Sequence, residues 1–259
     1  MDRKVELLEK LRSENREEVR EAVEALADFP DEEVIKALVD TAISKKSKAI
    51  LEAVRSVLMS MDRNREVICR EVVRFFEHPE PKLRQTAIDI LAHQGDVCLK
   101  VVEERLLRHD DYNMRKFALD ILSGIRSERA LDLIISALED ENPNVSLTAL
   151  EYLRNFSDVK DRVVEAIIRV IPSVSGMFGL TTLASTIIYG NLKDRRLVDP
   201  LREKLRSLKD PLEKHWIYKA LIFLGDKSSV REALENAKSV GMEEDLRKDL
   251  EIFGLSVES

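Results

Sequence analysis

The chain has few of the residues on which metal sites and disulfide frameworks depend. Its 259 residues include two cysteines, Cys69 and Cys98, and four histidines. The cysteines form no Cys-x-x-Cys pair and each lies in an apolar helical stripe, so we expect two small buried thiols. Being almost one repeat apart, the cysteines are candidates for neighbours in space. His78 and His109 occupy equivalent turns, where we expect turn formation and helix capping, and no metal or cofactor is predicted.

Glycine and proline are also scarce, at eight and seven residues. The common βα nucleotide-binding signatures are absent, and no run alternates polar and apolar residues long enough for a convincing strand. Gly95, Gly124, Gly190 and Gly225 stand where a left-handed residue would end a helix. The absence of strand patterns and of βα nucleotide-binding signatures predicts an all-α protein.

Long hydrophobic runs are missing as well. With 44% hydrophobic and 35% charged residues, the composition excludes a membrane protein. An uncharged window runs from Val170 to Leu192, but its glycines, proline and hydroxyl residues make it a poor membrane span. Residues 1–10 form a charged amphipathic helix rather than a signal segment, so we expect a cytoplasmic location.

What the chain does contain is a repeat. Ala87, Ala118 and Ala149 lie 31 residues apart (118 − 87; 149 − 118), and the residues around them repeat in chemical type without a gap. A short helix pair cannot bury its apolar face alone and must stack on copies of itself. An alanine suits the point where two helices cross about 8–10 Å apart. The period therefore predicts a solenoid of helix pairs.

These segments resemble the HEAT repeat family. Leu83-Arg84, Ala87 and Leu91 carry its apolar-Arg-x-x-Ala-x-x-x-Leu pattern, which Met114-Arg115, Ala118 and Leu122 repeat, whereas Ser146 replaces the arginine in the next copy. The match is to the short type also found in bilin lyases. The resemblance implies an armadillo-type right-handed α-α superhelix.

Extending this register outward predicts about seven stacked HEAT-like helix pairs in one solenoid over residues 1–259. Residues 1–30 would form a degenerate N-terminal repeat. Residues 242–255 would form a C-terminal capping helix, because Leu246, Leu250 and Phe253 share one stripe. The alternative for this last helix is a peptide that docks on another molecule.

Two rows of residues are predicted to face away from the core, on what is the concave wall in HEAT proteins. The first row is Gln85, Lys116, Leu147 and His215, and the second is Asp89, Asp120, Glu151 and Lys219. The acidic start of the second row is a candidate docking strip for a basic or polar helix. The alternative is a plain solvated surface.

The uncharged window has two interpretations. It forms either a tightly packed inter-helix segment or a surface that exposes Met177, Phe178 and Tyr189 to a partner. Together with the rows, these residues are the predicted partner-binding site, and no catalytic residue is identified.

The predicted function is a non-enzymatic protein–protein interaction scaffold or regulatory adaptor that binds a protein partner in its groove. One alternative is a ligand-handling enzyme of the bilin-lyase type, for which a small molecule is a possible partner; this rests on analogy of fold. A HEAT-like DNA glycosylase is disfavoured because the net charge is −7 and there is one tryptophan. An iron-binding HEAT-like hydroxylase is disfavoured because the chain contains no His-Glu step.

Overall fold

The computed structural model describes residues 3–255 apart from the side chain of Ser157, so the predicted limits at residues 1 and 259 lie outside it. The described residues form α-helices joined by short turns and contain no strand. The protein therefore has the all-α helical repeat fold that the sequence predicts.

The chain groups into two compact units, Met1–Leu133 and Ile134–Ser259. The first contains α1 (Arg3–Lys10), α2 (Arg16–Ala25), α3 (Glu32–Lys45), α4 (Lys48–Ser60), α5 (Arg65–Val72), α6 (Pro81–Gln94), α7 (Leu99–Val102) and α8 (Tyr112–Ile125). Helix α9 (Glu128–Ser136) contains the boundary. The second unit continues with α10 (Pro143–Tyr152), α11 (Lys160–Val170), α12 (Gly176–Tyr189), α13 (Val198–Ser207), α14 (Pro211–Phe223), α15 (Val230–Ser239) and α16 (Glu243–Phe253).

Within each unit the even-numbered helices pack side by side. In the first unit, α4 lies between α2 and α6, and α8 packs on α6. In the second unit, α12 lies between α10 and α14, and α16 packs on α14. Odd-numbered helices pack against this row of even-numbered helices, as α3 does on α4 and α13 does on α14. Each unit is thus a stack of helix pairs.

The predicted alanine register is confirmed. Ala87, Ala118 and Ala149 are fully buried in α6, α8 and α10. These helices begin at Pro81, Tyr112 and Pro143, so their starts keep the 31-residue period (112 − 81; 143 − 112).

The turn before each of these helices uses the same hydrogen bond. Nδ1 of His78 accepts from the backbone N–H of Glu80 at 3.2 Å, and Nδ1 of His109 accepts from Asp111 N–H at 2.9 Å. One period later, an Asp140 carboxylate oxygen accepts from Asn142 N–H at 2.9 Å. The two histidines therefore form turns, as predicted, and an aspartate can take their place.

Arginines close two of these turns from the following helix. Arg84 donates to the carbonyl of His78 at 2.9 Å. Arg115, which is buried, donates to the carbonyls of His109 and Asp110 at 2.8 and 3.0 Å. The arginine of the repeat pattern thus satisfies backbone acceptors that the turn leaves open.

The predicted helix-ending role holds for two of the four glycines. Gly95 and Gly225 have positive φ, at 63° and 82°. Gly124 has no such angle; a Cβ there would lie 2.9 Å from Ala92 Cβ, so this glycine permits close packing. Gly190 has φ −74°, and a Cβ there would lie 2.6 Å from the Thr186 carbonyl oxygen. The left-handed positions after these helices belong to Arg126 (56°) and Asn191 (49°).

The two cysteines are buried and free, as expected. A hydrogen bond with Cys69 and burial both raise the pKa of the Cys98 thiol. The two thiols are therefore neighbours, and the Cys98 thiol is held in its protonated form.

The C-terminal helix lies close to its predicted range. Leu246 and Leu250 of α16 are buried against Val230, Leu234 and Tyr218, and Phe253 packs at the edge of this cluster. Across residues 3–255, no helix is long and apolar enough to cross a membrane.

Candidate functional site

Helix α12 differs from every other α-helix described in residues 3–255, because it contains no charged residue. It nevertheless reaches the surface. Its exposed side chains are Met177 at 38%, Phe178 at 70% and Tyr189 at 76% of their full areas. A continuous apolar patch on a protein surface often marks a binding site.

The two aromatic residues lie on one face of α12. Phe178 and Tyr189 are 11 residues apart, which is about three turns of an α-helix at 3.6 residues per turn. Between them, the hydroxyls of Thr181 and Thr182 donate to the carbonyls of Met177 and Phe178 at 2.7 and 2.9 Å. Since these hydroxyls bond within the helix, the face between the aromatic residues has few donors to offer water.

The opposite face of α12 is core. Leu180, Leu183, Ala184 and Ile187 are fully buried there. The buried hydroxyl of Thr186 donates to the Leu150 carbonyl of α10 at 3.2 Å. The uncharged window therefore combines both interpretations, tight packing on one side and an exposed apolar surface on the other.

A cleft of about 460 Å³ lies at the N-terminal end of α12. One side is formed by the end of the segment before α10 and by α10 itself, and the other by the end of α11 and the loop to α12. Its lining residues are Leu138, Glu139, Asp140, Pro143, Ser146, Leu147, Leu150, Arg169, Val170, Ser173, Val174 and Ser175. We call this the α10–α12 cleft.

Gly179 brings the two sides of this cleft together. A Cβ on Gly179 would lie 3.2 Å from Val174 Cγ1 and 3.8 Å from Leu147 Cδ2. The absence of a side chain lets the loop before α12 fold over α12 and approach Leu147. Leu147 thus lies next to the uncharged window, as the sequence predicts.

The charged groups of the α10–α12 cleft are unevenly distributed. Glu139 and Asp140 lie on one lip, where Glu139 is exposed. Arg169, also exposed, is the basic residue of the lining. The cleft therefore has an acidic side and a basic side around an apolar floor.

In the first unit, the predicted row residues lie on α6 and α8. Gln85 is exposed and donates to Asp89 at 3.1 Å, and Asp89 also accepts from Arg55 Nε of α4 at 3.1 Å. Lys116 and Asp120 are half-buried on α8, and Asp120 is engaged within the protein. The acidic row is thus at least partly neutralised by the chain itself.

In the second unit, the residues of the predicted second row contact other residues of the chain. Glu151 is half-buried and lies 2.9 Å from Arg154 Nη2. Lys219 Nζ lies 2.8 Å from Asp249 Oδ2 of α16 and 5.5 Å from the ring of Trp216. Their charges are therefore shared with neighbours rather than presented to a partner.

His215 corrects the prediction for its row, because it is 2% exposed and its ring lies in the core. Burial and the nearby Lys219 lower its pKa, while Asp249 and Asp245 of α16 act in the opposite direction. His215 is buried because α16 packs on α14. Helix α16 covers the face of α14 that is equivalent to the exposed Gln85 face of α6.

Sequence reasoning missed parts of both sides of the cleft. Leu138, Glu139, Ser173 and Val174 belong to segments that flank the repeating helices. The aligned alanines fix the helices but not the loops between them. A signal was present in the change of composition after Arg169, which marks the point where the loop before α12 begins.

Comparison with known proteins agrees with this geometry. Residues 99–172 match the family model of HEAT repeats. In this segment the chain is similar to HEAT repeats. The matched segment includes α10 and α11 and ends within the loop before α12 that completes the α10–α12 cleft. Among curated proteins, no sequence matches the chain.

A known structure shares the helical repeat fold of this chain. A chain in a homology model of the full-length AP-3 complex in an intermediate open conformation is 14% identical with a TM-score of 0.51. The match covers 91% of this protein and 48% of that chain, so this protein spans about half its length.

Two further structures are an engineered protein and Escherichia coli YibA. The engineered protein is 17% identical with a TM-score of 0.41, and the match covers 96% of this chain and 77% of that one. YibA is 17% identical with a TM-score of 0.44, at coverages of 91% and 86%.

Proposed function

We propose that this helical repeat protein is a non-enzymatic scaffold that binds a partner protein through the exposed face of α12 and the adjoining α10–α12 cleft. The observation that carries the proposal is the exposure of Phe178 and Tyr189 at the two ends of an uncharged helix face. Aromatic side chains provide much of the binding energy of protein interfaces once they are desolvated.

Leu147 has a secondary part in this proposal, because it extends the apolar surface from α12 to α10. The partner-binding role of Gln85, Asp89, Lys116, Asp120, Glu151 and Lys219 remains a prediction and is not part of the proposed surface. A cytoplasmic location and an adaptor role remain predictions.

Affinity capture from a lysate of the source organism tests this function. The bait is the full chain, compared with a Phe178→Ser/Tyr189→Ser double variant. Because both side chains are more than two thirds exposed, the free energy of unfolding should change by less than about 0.5 kcal/mol per site. We expect a specific protein to be captured by the parent and reduced about tenfold or more with the double variant.

Ile252→Ser is the matched control, because Ile252 is 75% exposed on α16. It removes a comparable apolar surface elsewhere in the same unit. Partners retained equally by the double variant and the parent would contradict the proposed surface.

A further inference from the structure

We propose that the α10–α12 cleft receives a segment of the partner protein in which an apolar anchor side chain stands beside a basic residue. This inference rests on the proposed function and specifies the chemistry of the partner. The anchor would lie over Leu147 and Val174, and the basic residue would meet Glu139.

The floor of the cleft favours binding of an apolar group. Leu147, Leu150 and Val174 line it, and two of its serines bond internally. The Ser173 hydroxyl donates to the Val170 carbonyl at 2.9 Å, and the Ser146 hydroxyl donates to the Pro143 carbonyl at 3.3 Å. A polar group placed there would lose its bonds to water without finding equivalent partners.

The volume of the cleft fits a side-chain anchor. About 460 Å³ is within the roughly 300–1,000 Å³ of pockets that hold small organic groups. The exposed Met177 and Phe178 follow the lining residue Ser175 in the chain, so a segment anchored in the cleft can continue along α12. This continuity favours a polypeptide over a free small molecule.

The charged residues on the two lips of the cleft indicate which kind of residue stands beside the anchor. The exposed carboxylate of Glu139 stands on one lip and the exposed guanidinium of Arg169 on the other. A basic side chain beside the anchor is attracted to the first lip, whereas an acidic one is repelled. Arg169 disfavours a second basic residue on its own side, so the charges also set the direction of the bound segment.

Selection of peptides by the full-length protein tests this inference. Random 12-residue peptides displayed on phage would be panned against the parent chain, and the enriched peptide would be labelled and titrated by fluorescence anisotropy. We expect enriched sequences to carry an aromatic or large aliphatic residue with Lys or Arg within four positions. We expect Glu139→Lys to weaken binding of that peptide by at least about threefold.

Three comparisons make this result specific. Glu251→Lys introduces the same charge change at an exposed position of α16 and should leave the affinity unchanged. A peptide with its basic residue replaced by Glu should bind Glu139→Lys more tightly than it binds the parent. Leu147→Gln should also weaken the original peptide, and its melting temperature would show that the variant is folded.

Enrichment of no peptide, or of peptides that do not respond to Glu139→Lys, would overturn the inference about the cleft. The proposed function is judged separately, by loss of the captured partner with Phe178→Ser/Tyr189→Ser. A partner whose binding depends on those two residues but not on Glu139 would support the proposed scaffold function. The same result would refute the proposal that the partner segment carries a basic residue beside its anchor.

Discussion

At the level of single residues, the smallest side chains determine the register of this fold. Ala87 and Ala118 are fully buried on adjacent helices, and Ala149 occupies the equivalent place in the second unit. Any larger residue there must push apart two packed helices. This is why the period is visible in the sequence at the alanines.

Ala118→Glu tests the register. It places a carboxylate in the core of the first unit and overfills a close helix contact, so we expect a loss of roughly 3 kcal/mol or more in the free energy of unfolding. Chemical denaturation would measure it. Ser56→Glu, at an exposed position of α4, is the control and should change stability by less than about 0.5 kcal/mol. Equal unfolding midpoints for the two variants would refute the register.

His215 should make stability depend on pH. Burial lowers its folded-state pKa below the ordinary value near 6.5, so the unfolded chain binds the proton more strongly. Its contribution to stability is therefore complete above about pH 6.5 and is lost as the pH falls through that value toward the folded-state pKa. Denaturation curves between pH 7.5 and 5 would show this decrease in the parent, and a smaller one in His215→Leu. Identical pH profiles for the two proteins would contradict the assignment.

The sequence predicted residues best where the repeat is regular. The buried alanines and the turn histidines follow from a gapless 31-residue period. The assignment of His215 to an exposed row was wrong because the row considers one helix, whereas exposure depends on the helix packed against it. The sequence also could not reveal that Asp89 and Lys219 meet partners on other helices, since those contacts need the fold.

At the level of helices, the contrast between α12 and α16 separates binding from packing. Each carries an exposed apolar residue in its last turn, Tyr189 in α12 and Ile252 in α16. Helix α16 is otherwise strongly charged and packs on α14 and α15. Helix α12 lies between two neighbours and yet keeps an uncharged outer face, which core packing alone does not require.

Leu250→Asp tests the part that α16 plays. Leu250 is 2% exposed within the C-terminal core cluster, so a charge there should cost roughly 3 kcal/mol in the free energy of unfolding. Ile252→Asp, two residues away on the same helix, should cost less than about 0.5 kcal/mol because its side chain is 75% exposed. Thermal unfolding of both variants is the measurement. Unchanged melting of Leu250→Asp would mean that α16 does not cover the core.

For the molecule as a whole, the distribution of charge distinguishes the uncharged face of α12 from the rest of the described surface. The chain is 35% charged with a net charge of −7, and many charged residues pair along or between helices. Such a surface keeps a helical repeat soluble and discourages unspecific contact. Against it, the uncharged face of α12 and the α10–α12 cleft form the apolar region that the proposed partner would cover.

Site-specific photocrosslinking tests this central claim most directly. A benzophenone amino acid would replace Phe178 in one protein and Ile252 in another, and each would be irradiated in a lysate of the source organism before mass spectrometry. We predict covalent adducts with a specific partner protein at position 178 and none with that protein at position 252. Equal labelling at both positions, or adducts at position 252 alone, would contradict the assignment of α12 as the binding surface.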